Sequence, residues 1–410
     1  MKFPMTRLRR YVAAACDGPF GSAIKSDHYV DEGARVIRLG NIGCAEWRDA
    51  DRAFIDIEYW RTLQSHHASP GDIVVAGLGD EGNPVGRACV VPPLGPAIVK
   101  ADCYRLRLNA LACPLFIAYF LSSAAGVQES AAISEGSTRP RLTLGKALSL
   151  RTPDLSLEDQ VTIAAFLDSE TSRIDSLIHM KEQIVGLVWS RRTCVLEDSI
   201  RSLVRNHGAF PLKYASVKIE VGIVITPSAW YAESGVIALR GLNIKPGTIS
   251  LDDVVRISAE GHRIHRKSTL CTGDVVVVRT GQAGAAAVVP PELDGSNCVD
   301  LLIIRPSDNI IPEFLAFVIN CDWTQKHVDE FSVGTIQSHF NVGAIKEVPI
   351  PIPPKPVQRR VVEVLSANTA RTAQIATRLD SQIALLRERR EALITAAVTG
   401  QLDIPGVSAA

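Results

Sequence analysis

The hydrophobic positions along the chain follow two kinds of pattern that alternate and then repeat. Short runs rich in Val, Ile and Leu, such as Asp72-Ile-Val-Val-Ala76 and Asp274-Val-Val-Val-Val278, are bounded by glycine or proline and predict buried β-strands. From Ile163, and again from Val361, apolar residues recur at steps of seven with neighbours three or four positions away. This spacing predicts two long helices of about 40 residues each, with one apolar seam apiece.

The two predicted helices share the same heptad frame, which favours pairing of the two as a coiled coil. Lys181 and Thr372 occupy the places in the frame where an apolar residue is missing. The predicted seam consists of Leu167, Ile174, Leu177, Ile184, Val188, Val195, Leu365, Ile375, Leu379, Leu386 and Leu393. Two unrelated amphipathic helices, each packed on its own core, are the alternative interpretation.

The second half of the chain repeats the first at a spacing of about 200 residues, too long for a solenoid unit. Asp102-Cys-Tyr-Arg-Leu-Arg-Leu108 aligns with Asp300-Leu-Leu-Ile-Ile-Arg-Pro306, and Gly71-Asp-Ile-Val-Val75 with Gly273-Asp-Val-Val-Val277. The alignment that pairs Asp102 with Asp300 also pairs five later residues of the two copies. These are Gly136, Gly145, Pro153, Gln160 and Arg173, which fall on Gly334, Gly343, Pro351, Gln358 and Arg371. The duplication therefore covers a whole domain and the helix that follows it.

These patterns predict an α+β fold of two mixed α/β globular domains, each followed by a long helix. If the helices pair antiparallel, the chain acquires a pseudo-two-fold axis. We expect the first globular domain at residues 1–152 and its helical segment at 153–207. The second domain is expected at 208–350, and a proline hinge with its helix at 351–405.

Composition excludes several classes of protein. With 410 residues, 46% hydrophobic and 21% charged, the chain is neither disordered nor of low complexity. Its longest apolar stretch, residues 113–127, is shorter than the ~20 residues needed to cross a bilayer and contains Pro114. The N-terminus lacks the apolar region of a secretory signal, and the nine cysteines are scattered without a Cys-x-x-Cys pair. A cytoplasmic protein with reduced thiols and no membrane contact is expected.

No catalytic, cofactor or metal site is predicted. Gly77-Leu-Gly-Asp-Glu-Gly82 matches G-x-G-x-x-G, but Asn83 and Pro84 follow where a dinucleotide site needs a helix, so a hairpin loop is preferred. The ATP-binding Walker sequence, the PD-(D/E)xK nuclease pattern and the Asn-Pro-Pro-aromatic signature of adenine methyltransferases are missing. His262-x-x-His265 and the pair His66-His67 lack further ligands at zinc spacing.

The net charge does not indicate nucleic-acid binding, because Lys plus Arg and Asp plus Glu are 44 each. Polyanion binding must therefore come from local clusters or from a partner. Lys and Arg suit phosphates, and Arg and Gln suit base edges in the major groove. The candidate DNA contacts are Arg38, Arg139, Arg141, Lys146, Arg240, Arg263, Arg266, Lys267, Arg279, Gln282, Gln337, His339 and Asn341. For any single cluster, a solvated surface is the alternative interpretation.

Three segments carry a family resemblance. They are Pro349-Ile-Pro-Ile-Pro-Pro-Lys-Pro-Val-Gln358, Leu386-Arg-Glu-Arg-Arg-Glu-Ala-Leu-Ile394 and Val398-Thr-Gly-Gln-Leu-Asp403. Together with the duplicated layout, they resemble the specificity (S) subunits of type I restriction-modification enzymes over nearly the whole chain. The first copy departs from the pattern, since residues 151–160 contain a single proline instead of a run.

The resemblance implies a non-catalytic subunit that recognises double-stranded DNA. Each target-recognition domain would read one half of an asymmetric bipartite site, while the paired helices set the gap and dock two methyltransferase (M) subunits. Those partners would bind S-adenosylmethionine and methylate adenine, and a restriction (R) subunit, when recruited, would use ATP and Mg. The alternatives are a coiled-coil adaptor or scaffold without DNA binding, and an enzyme of nucleotide metabolism built on the loop at residues 77–82.

Overall fold

The computed structural model of the protein describes residues 2–19, 23–136, 139–280, 284–331 and 342–408. The chain forms two compact units, one of Met1–Glu182 with Asp380–Ala410 and the other of Gln183–Leu379. Each long helix contributes one part to each unit. Among the described residues, no helix is both long enough and apolar enough to span a membrane.

The first globular domain contains three sheets among its described residues. Its strands are β1 Met5–Arg7, β2 Val12–Cys16, β3 Tyr29–Val30, β4 Ala34–Ile37, β5 Phe54–Ile55, β6 His67–Ala68, β7 Ile73–Ala76, β8 Ala88–Val90, β9 Ala97–Val99, β10 Cys103–Leu108 and β11 Arg151–Pro153. Its helices are α1 Ile57–Thr62, α2 Pro114–Ser122, α3 Ala124–Ile133 and α4 Leu144–Ser149, followed by the long helix α5 Leu157–His207. The sheets have the strand orders β2-β10-β7-β8, β3-β5-β4-β9-β6 and β1-β11.

The second globular domain repeats part of this arrangement, and its described residues form four sheets. Its strands are β12 Phe210–Pro211, β13 Ser216–Val221, β14 Tyr231–Leu239, β15 Ile244–Lys245, β16 Thr248–Ile249, β17 Val255–Ile257, β18 Val275–Val278, β19 Ala286–Val288, β20 Asn297–Cys298, β21 Leu301–Pro306 and β22 Pro349–Ile350. Its helices are α6 Ala259–Ile264, α7 Pro312–Ile319, α8 Asp322–Phe331 and α9 Val342–Glu347, followed by α10 Lys355–Val398.

Matching strand orders reveal the duplication in space. The sheet β13-β21-β18-β19 is the counterpart of β2-β10-β7-β8, and the pair β12-β22 is the counterpart of β1-β11. Strands β4 and β9 are parallel, and so are β14 and β20. The predicted pair of mixed α/β domains, each followed by a long helix, is confirmed. The four predicted domain boundaries remain a proposal.

Strand β18 shows why the predicted strands are uninterrupted apolar runs. Val275 and Val277 pack in the cluster around Phe314, whereas Val276 and Val278 pack on the opposite face in the cluster around Leu239. A strand that is buried on both faces has no polar side, so its sequence does not alternate. Residues 73–76 of β7 are divided between two clusters in the same way.

The long helices pair antiparallel within each unit. In the first unit, Arg390 Nε lies 2.9 Å from Asp175 Oδ1, and Arg387 Nη2 lies 2.9 Å from Glu182 Oε1. From Asp175 to Glu182 on α5, the contacted residue on α10 moves back from Arg390 to Arg387. The two helices therefore run antiparallel. In the second unit, Arg192 Nε donates to Thr369 Oγ1 at 3.2 Å. The predicted pairing is therefore confirmed.

One row of the predicted seam is displaced by a residue. Leu167, Ile174 and Leu365 are buried, and Val188, Val195, Ile375, Leu379, Leu386 and Leu393 are partly buried. Leu177 and Ile184 were wrongly placed in the seam, because each is 44% exposed. The first row on α5 contains Leu167, Ile174, Val188 and Val195. The second row instead contains Thr171 and Ile178, four positions after Leu167 and Ile174. Spacings of three and four from the first row both fit a heptad, but only one flank of the helix faces the partner.

A buried glutamine joins each globular domain to the helix that follows it. Gln160 Oε1 accepts from Cys113 N, while Gln160 Nε2 donates to the carbonyl oxygens of Leu111 and Leu155. Gln358 makes the same set of bonds, with the backbone N–H of Ile311 and the carbonyls of Asn309 and Pro353. Neither glutamine is accessible to solvent.

We expect Gln358→Leu to lower the free energy of unfolding of the second unit by about 3 kcal/mol, because buried backbone groups lose their partners. Urea denaturation followed by circular dichroism measures the change. Gln374→Leu, at an exposed position of the same helix, is the matched control and should shift the midpoint little. Equal effects of the two substitutions would contradict the role of the buried bonds.

Candidate DNA interface

In the first domain, the glycine-rich loop at residues 77–84 lies against residues 140–142. Gly79 N donates to Pro140 O at 3.0 Å, and Leu142 N donates to Gly77 O at 2.8 Å. Strands β7 and β8, on either side of the loop, pair antiparallel. The loop is therefore the hairpin predicted from the sequence, and it does not open a helix as a dinucleotide-binding loop does.

Arg87 holds this hairpin loop from inside the protein. Its guanidinium donates to the carbonyls of Ile42 at 2.7 Å, Leu39 at 3.0 Å, Leu78 at 3.1 Å and Pro84 at 3.0 Å. The residue is 3% exposed, and desolvation lowers the pKa of its guanidinium. The rigid fork of an arginine suits several carbonyls at once. The sequence contained no local pattern that marked this residue.

Two of the basic residues predicted as DNA contacts, Arg141 and Lys146, lie close to Glu135. Arg141 Nη2 pairs with Asp102 Oδ1 at 2.8 Å, and Lys146 Nζ pairs with Glu135 Oε1 at 2.7 Å. Glu135 and Arg141 also exchange backbone hydrogen bonds in both directions, while Arg139 is exposed. The cluster therefore presents cations at the surface, next to residues 140–142, whose backbone is bonded to the neighbouring hairpin.

Arg38 and Arg240 occupy equivalent positions, and both have intramolecular partners. The Arg38 guanidinium pairs with Asp51, and Arg240 Nη2 pairs with Asp253 Oδ2 at 3.1 Å. Their side chains are 33% and 26% exposed. An acid partner beside each arginine indicates a shared role in shaping its loop, and the predicted DNA contact of these two residues stays a prediction.

Asp102 and Asp300 each hold an arginine, although the arginines come from different loops. Arg279 Nη1 pairs with Asp300 Oδ1 at 2.8 Å, whereas the partner of Asp102 is Arg141 from a later segment. Both aspartates have a left-handed backbone, with φ of 64° and 50°, a conformation that Asp tolerates better than most residues. Their role was missed, although the repeat alignment contained the signal by pairing Asp102 with Asp300.

The basic residues at 263–267 line an open groove of about 440 Å³ on the second domain, together with the segment 221–225. Arg263, Arg266 and Lys267 are exposed. Val224 and Ile225, which the sequence had not marked, are 50% and 80% exposed. Asp300 N donates to Ile223 O of this groove at 3.0 Å. Because the Asp300 carboxylate pairs with Arg279, the groove is linked to Arg279 through Asp300.

A groove that combines cations with exposed aliphatic groups can contact phosphates with the former and thymine methyl groups with the latter. The remaining predicted contacts, Gln282, Gln337, His339 and Asn341, lie outside the described residues. Over the described part of the chain, no group of three or more His, Cys, Asp or Glu is placed to hold a metal ion.

Fold and site together define a duplicated chain with two globular domains, two paired helices and basic surface loops. Residues 265–385 match the family model described as the type I restriction modification DNA specificity domain. The chain is 22% identical over 393 residues to the type I restriction enzyme StySPI specificity subunit of Salmonella potsdam, covering 91% of this chain and 83% of the relative. The chain is therefore similar to a type I restriction-modification specificity subunit over most of its length, and residues 265–385 carry the match to the family model.

Solved structures share the fold. A chain from a structure on complex assembly and conformational transition of the type I R-M system matches with a TM-score of 0.74 at 18% identity, covering 98% of this chain and 100% of that one. The HsdS subunit from Thermoanaerobacter tengcongensis matches with a TM-score of 0.54 at 16% identity, covering 98% of this chain and 97% of that one. The likeness extends over the whole duplicated architecture.

Proposed function

We propose that this chain is the DNA sequence-recognition subunit of a type I restriction-modification complex and has no catalysis of its own. The duplication carries the proposal, because the two globular domains have the same strand order in their main sheets but carry different surface residues. Arg141 in one domain and Arg279 in the other reach equivalent aspartates from different loops. Two recognition domains that differ in this way would read two different half-sites, so the target is asymmetric and bipartite.

The paired helices support the second part of the proposal, in which they set the gap between the half-sites. Helix α5 has 51 residues and α10 has 44, and a helix of fixed length fixes a distance at ~1.5 Å per residue. Because DNA is the target, we place the protein in the cytoplasm of its cell.

The proposed partners are double-stranded DNA, two M subunits and, where present, R subunits. In this arrangement S-adenosylmethionine belongs to the M subunits, and ATP with Mg belongs to the R subunits. The name of the StySPI relative, a specificity subunit of a restriction enzyme, supports an assembly of this kind.

An exposed apolar stripe on α5 is the proposed docking surface for an M subunit. Leu177, Met180, Ile184 and Leu187 are 44%, 49%, 44% and 68% exposed. Their spacings of three and four residues place them along one face of the helix. An apolar face of this kind on a charged helix suits a partner helix with an apolar side of its own.

We expect Ile184→Glu combined with Leu187→Glu to weaken co-purification of the M subunit roughly tenfold or more, because two carboxylates would be desolvated at the interface. Pull-down with a tagged M subunit measures the loss. Thr193→Glu adds a carboxylate at another exposed position of α5 and should leave binding nearly unchanged. Undiminished recovery of the double variant would refute this docking surface.

The function is tested by co-expressing the chain with its M subunit in a host that lacks this methyltransferase. Methylated adenines are then mapped across the host genome by single-molecule sequencing. A bipartite motif with a fixed gap that disappears when this chain is omitted is the expected result. Co-purification of the partner without any methylated motif, and without salt-sensitive DNA binding, would point to an adaptor and overturn the proposal.

A further inference from the structure

Helices α3 and α8 are equivalent in the two domains but differ at the residue before their first turn. Ser123 precedes α3, and its hydroxyl accepts from Gly126 N at 3.2 Å, which satisfies one free N–H of the helix start. The corresponding residue before α8 is Cys321. A thiol is a weaker acceptor than a hydroxyl, so the local cap of α8 is weaker than that of α3.

A carboxylate from the long helix α5 reinforces this weak local cap. Glu197 accepts from the backbone N–H of Asp322, from Trp323 N at 3.3 Å and from the Cys321 thiol at 2.9 Å. Burial, together with the bond to Glu197, raises the pKa of Cys321 to about 12, so the thiol keeps its proton and donates. The Glu197 side chain is 13% exposed, and a negative charge at a helix N-terminus is favourable.

The first unit contains the equivalent contact in a weaker form. Ala124 N, at the start of α3, donates to Thr395 Oγ1 of α10 at 3.1 Å. Thr395 and Glu197 are equivalent positions in the frame that aligns Asp102 with Asp300. Each helix start is therefore held by the long helix that follows the other domain in sequence, with one hydroxyl in the first unit and a carboxylate in the second.

Helix α8 in turn holds the end of the loop that begins at Arg279. Gln325 Nε2 donates to Gly284 O at 3.0 Å and to Ile319 O at 2.6 Å. Gly284 has φ of 89°, a left-handed backbone conformation that favours glycine. A chain of direct contacts therefore runs from Glu197 through α8 to Gly284.

We propose that Glu197 is a positioning residue for DNA recognition by the second domain, which rests on the proposed function. By attaching the start of α8 to α5, it fixes the helix whose Gln325 binds Gly284. Its effect is confined to the half-site that the second domain reads, because the start of α3 in the first domain contacts Ser123 and Thr395 instead of Glu197.

The test compares the complex of M subunit and full-length chain as wild type, Glu197→Ala and Asp198→Ala, the last being an exposed acid one residue further along α5. Methylation rates are measured on duplexes with single base changes in either half-site of the mapped motif. We expect Glu197→Ala to lower discrimination roughly tenfold in one half-site, as for the loss of a strong cap. The other half-site and the Asp198→Ala complex should stay as in the wild type.

A second variant separates positioning from simple helix capping. Cys321→Ser in the Glu197→Ala background supplies a local cap like Ser123 but no connection to α5. Hydrogen exchange should show restored protection at the start of α8, while discrimination stays low. Restoration of both would make Glu197 a cap only and overturn the proposal, as would equal losses in both half-sites or unchanged discrimination in Glu197→Ala. A wild-type complex without any sequence preference would overturn the proposed function itself.

Discussion

Replacing Arg263, Arg266 and Lys267 together by alanine is expected to weaken DNA binding roughly 100- to 1,000-fold, at about 1 to 1.5 kcal/mol for each lost phosphate contact. The three cations lie on one groove of the second domain and are exposed. The slope of log affinity against log salt should fall by about three, because each neutralised phosphate releases close to one counterion. Fluorescence anisotropy titrations at several salt concentrations measure both quantities.

The matched control removes the same number of charges from an exposed surface away from the groove. Lys355, Arg359 and Arg360 at the start of α10 are exposed, and their triple alanine variant should keep most of the affinity. A loss of affinity without a change in salt slope would show that the groove residues act on folding. Equal losses in the two triple variants would show that the groove has no special role.

Deleting one heptad from each long helix is expected to shorten the gap of the recognised motif by about three base pairs. Seven residues correspond to ~10.5 Å of helix, and DNA rises ~3.4 Å per base pair. Residues 178–184 and 379–385 are suitable because they surround Lys181 Nζ and Gln382 Oε1, which lie 2.6 Å apart. A whole heptad removed from both partners keeps the remaining seam residues in register.

Mapping of methylated adenines measures the new gap directly, and both half-site sequences should be unchanged. The matched control inserts seven residues at the same place in each helix and should lengthen the gap by the same amount. M-subunit co-purification is measured in parallel, because Ile184 lies in the deleted segment. An active deletion complex with the original gap would refute the role of the helices in spacing.

Local patterns in the sequence predicted the elements and their duplication well. The strands of the main sheets are apolar because they are buried on both faces, and a run such as Val275–Val278 therefore stands out in the sequence. The heptad frame likewise predicted two long helices. It could not choose between Leu177 and Ile178 for the second row, because both lie at helical spacings and only the partner's position decides.

The candidate site was harder to predict because residues that are distant in sequence come together to form it. The cluster at 263–267 is continuous in sequence and could be proposed from it, whereas Glu197 meets Asp322 from 125 positions away. Arg87 resembles any other arginine until its five carbonyl partners are known. Asp102 and Asp300 could have been recognised, since the repeat alignment placed them together and an acid suits an arginine-rich surface.

The glutamine side chains that join each domain to its helix bind only main-chain atoms of the domain and the hinge. Gln160 binds the backbone of Leu111, Cys113 and Leu155, and Gln358 binds the corresponding backbone groups. Main-chain groups are present whatever side chains a sequence carries. Genetic exchange of one globular domain for a divergent one would therefore preserve these attachments, so new sequence preferences can arise by recombination without any redesign of the helices.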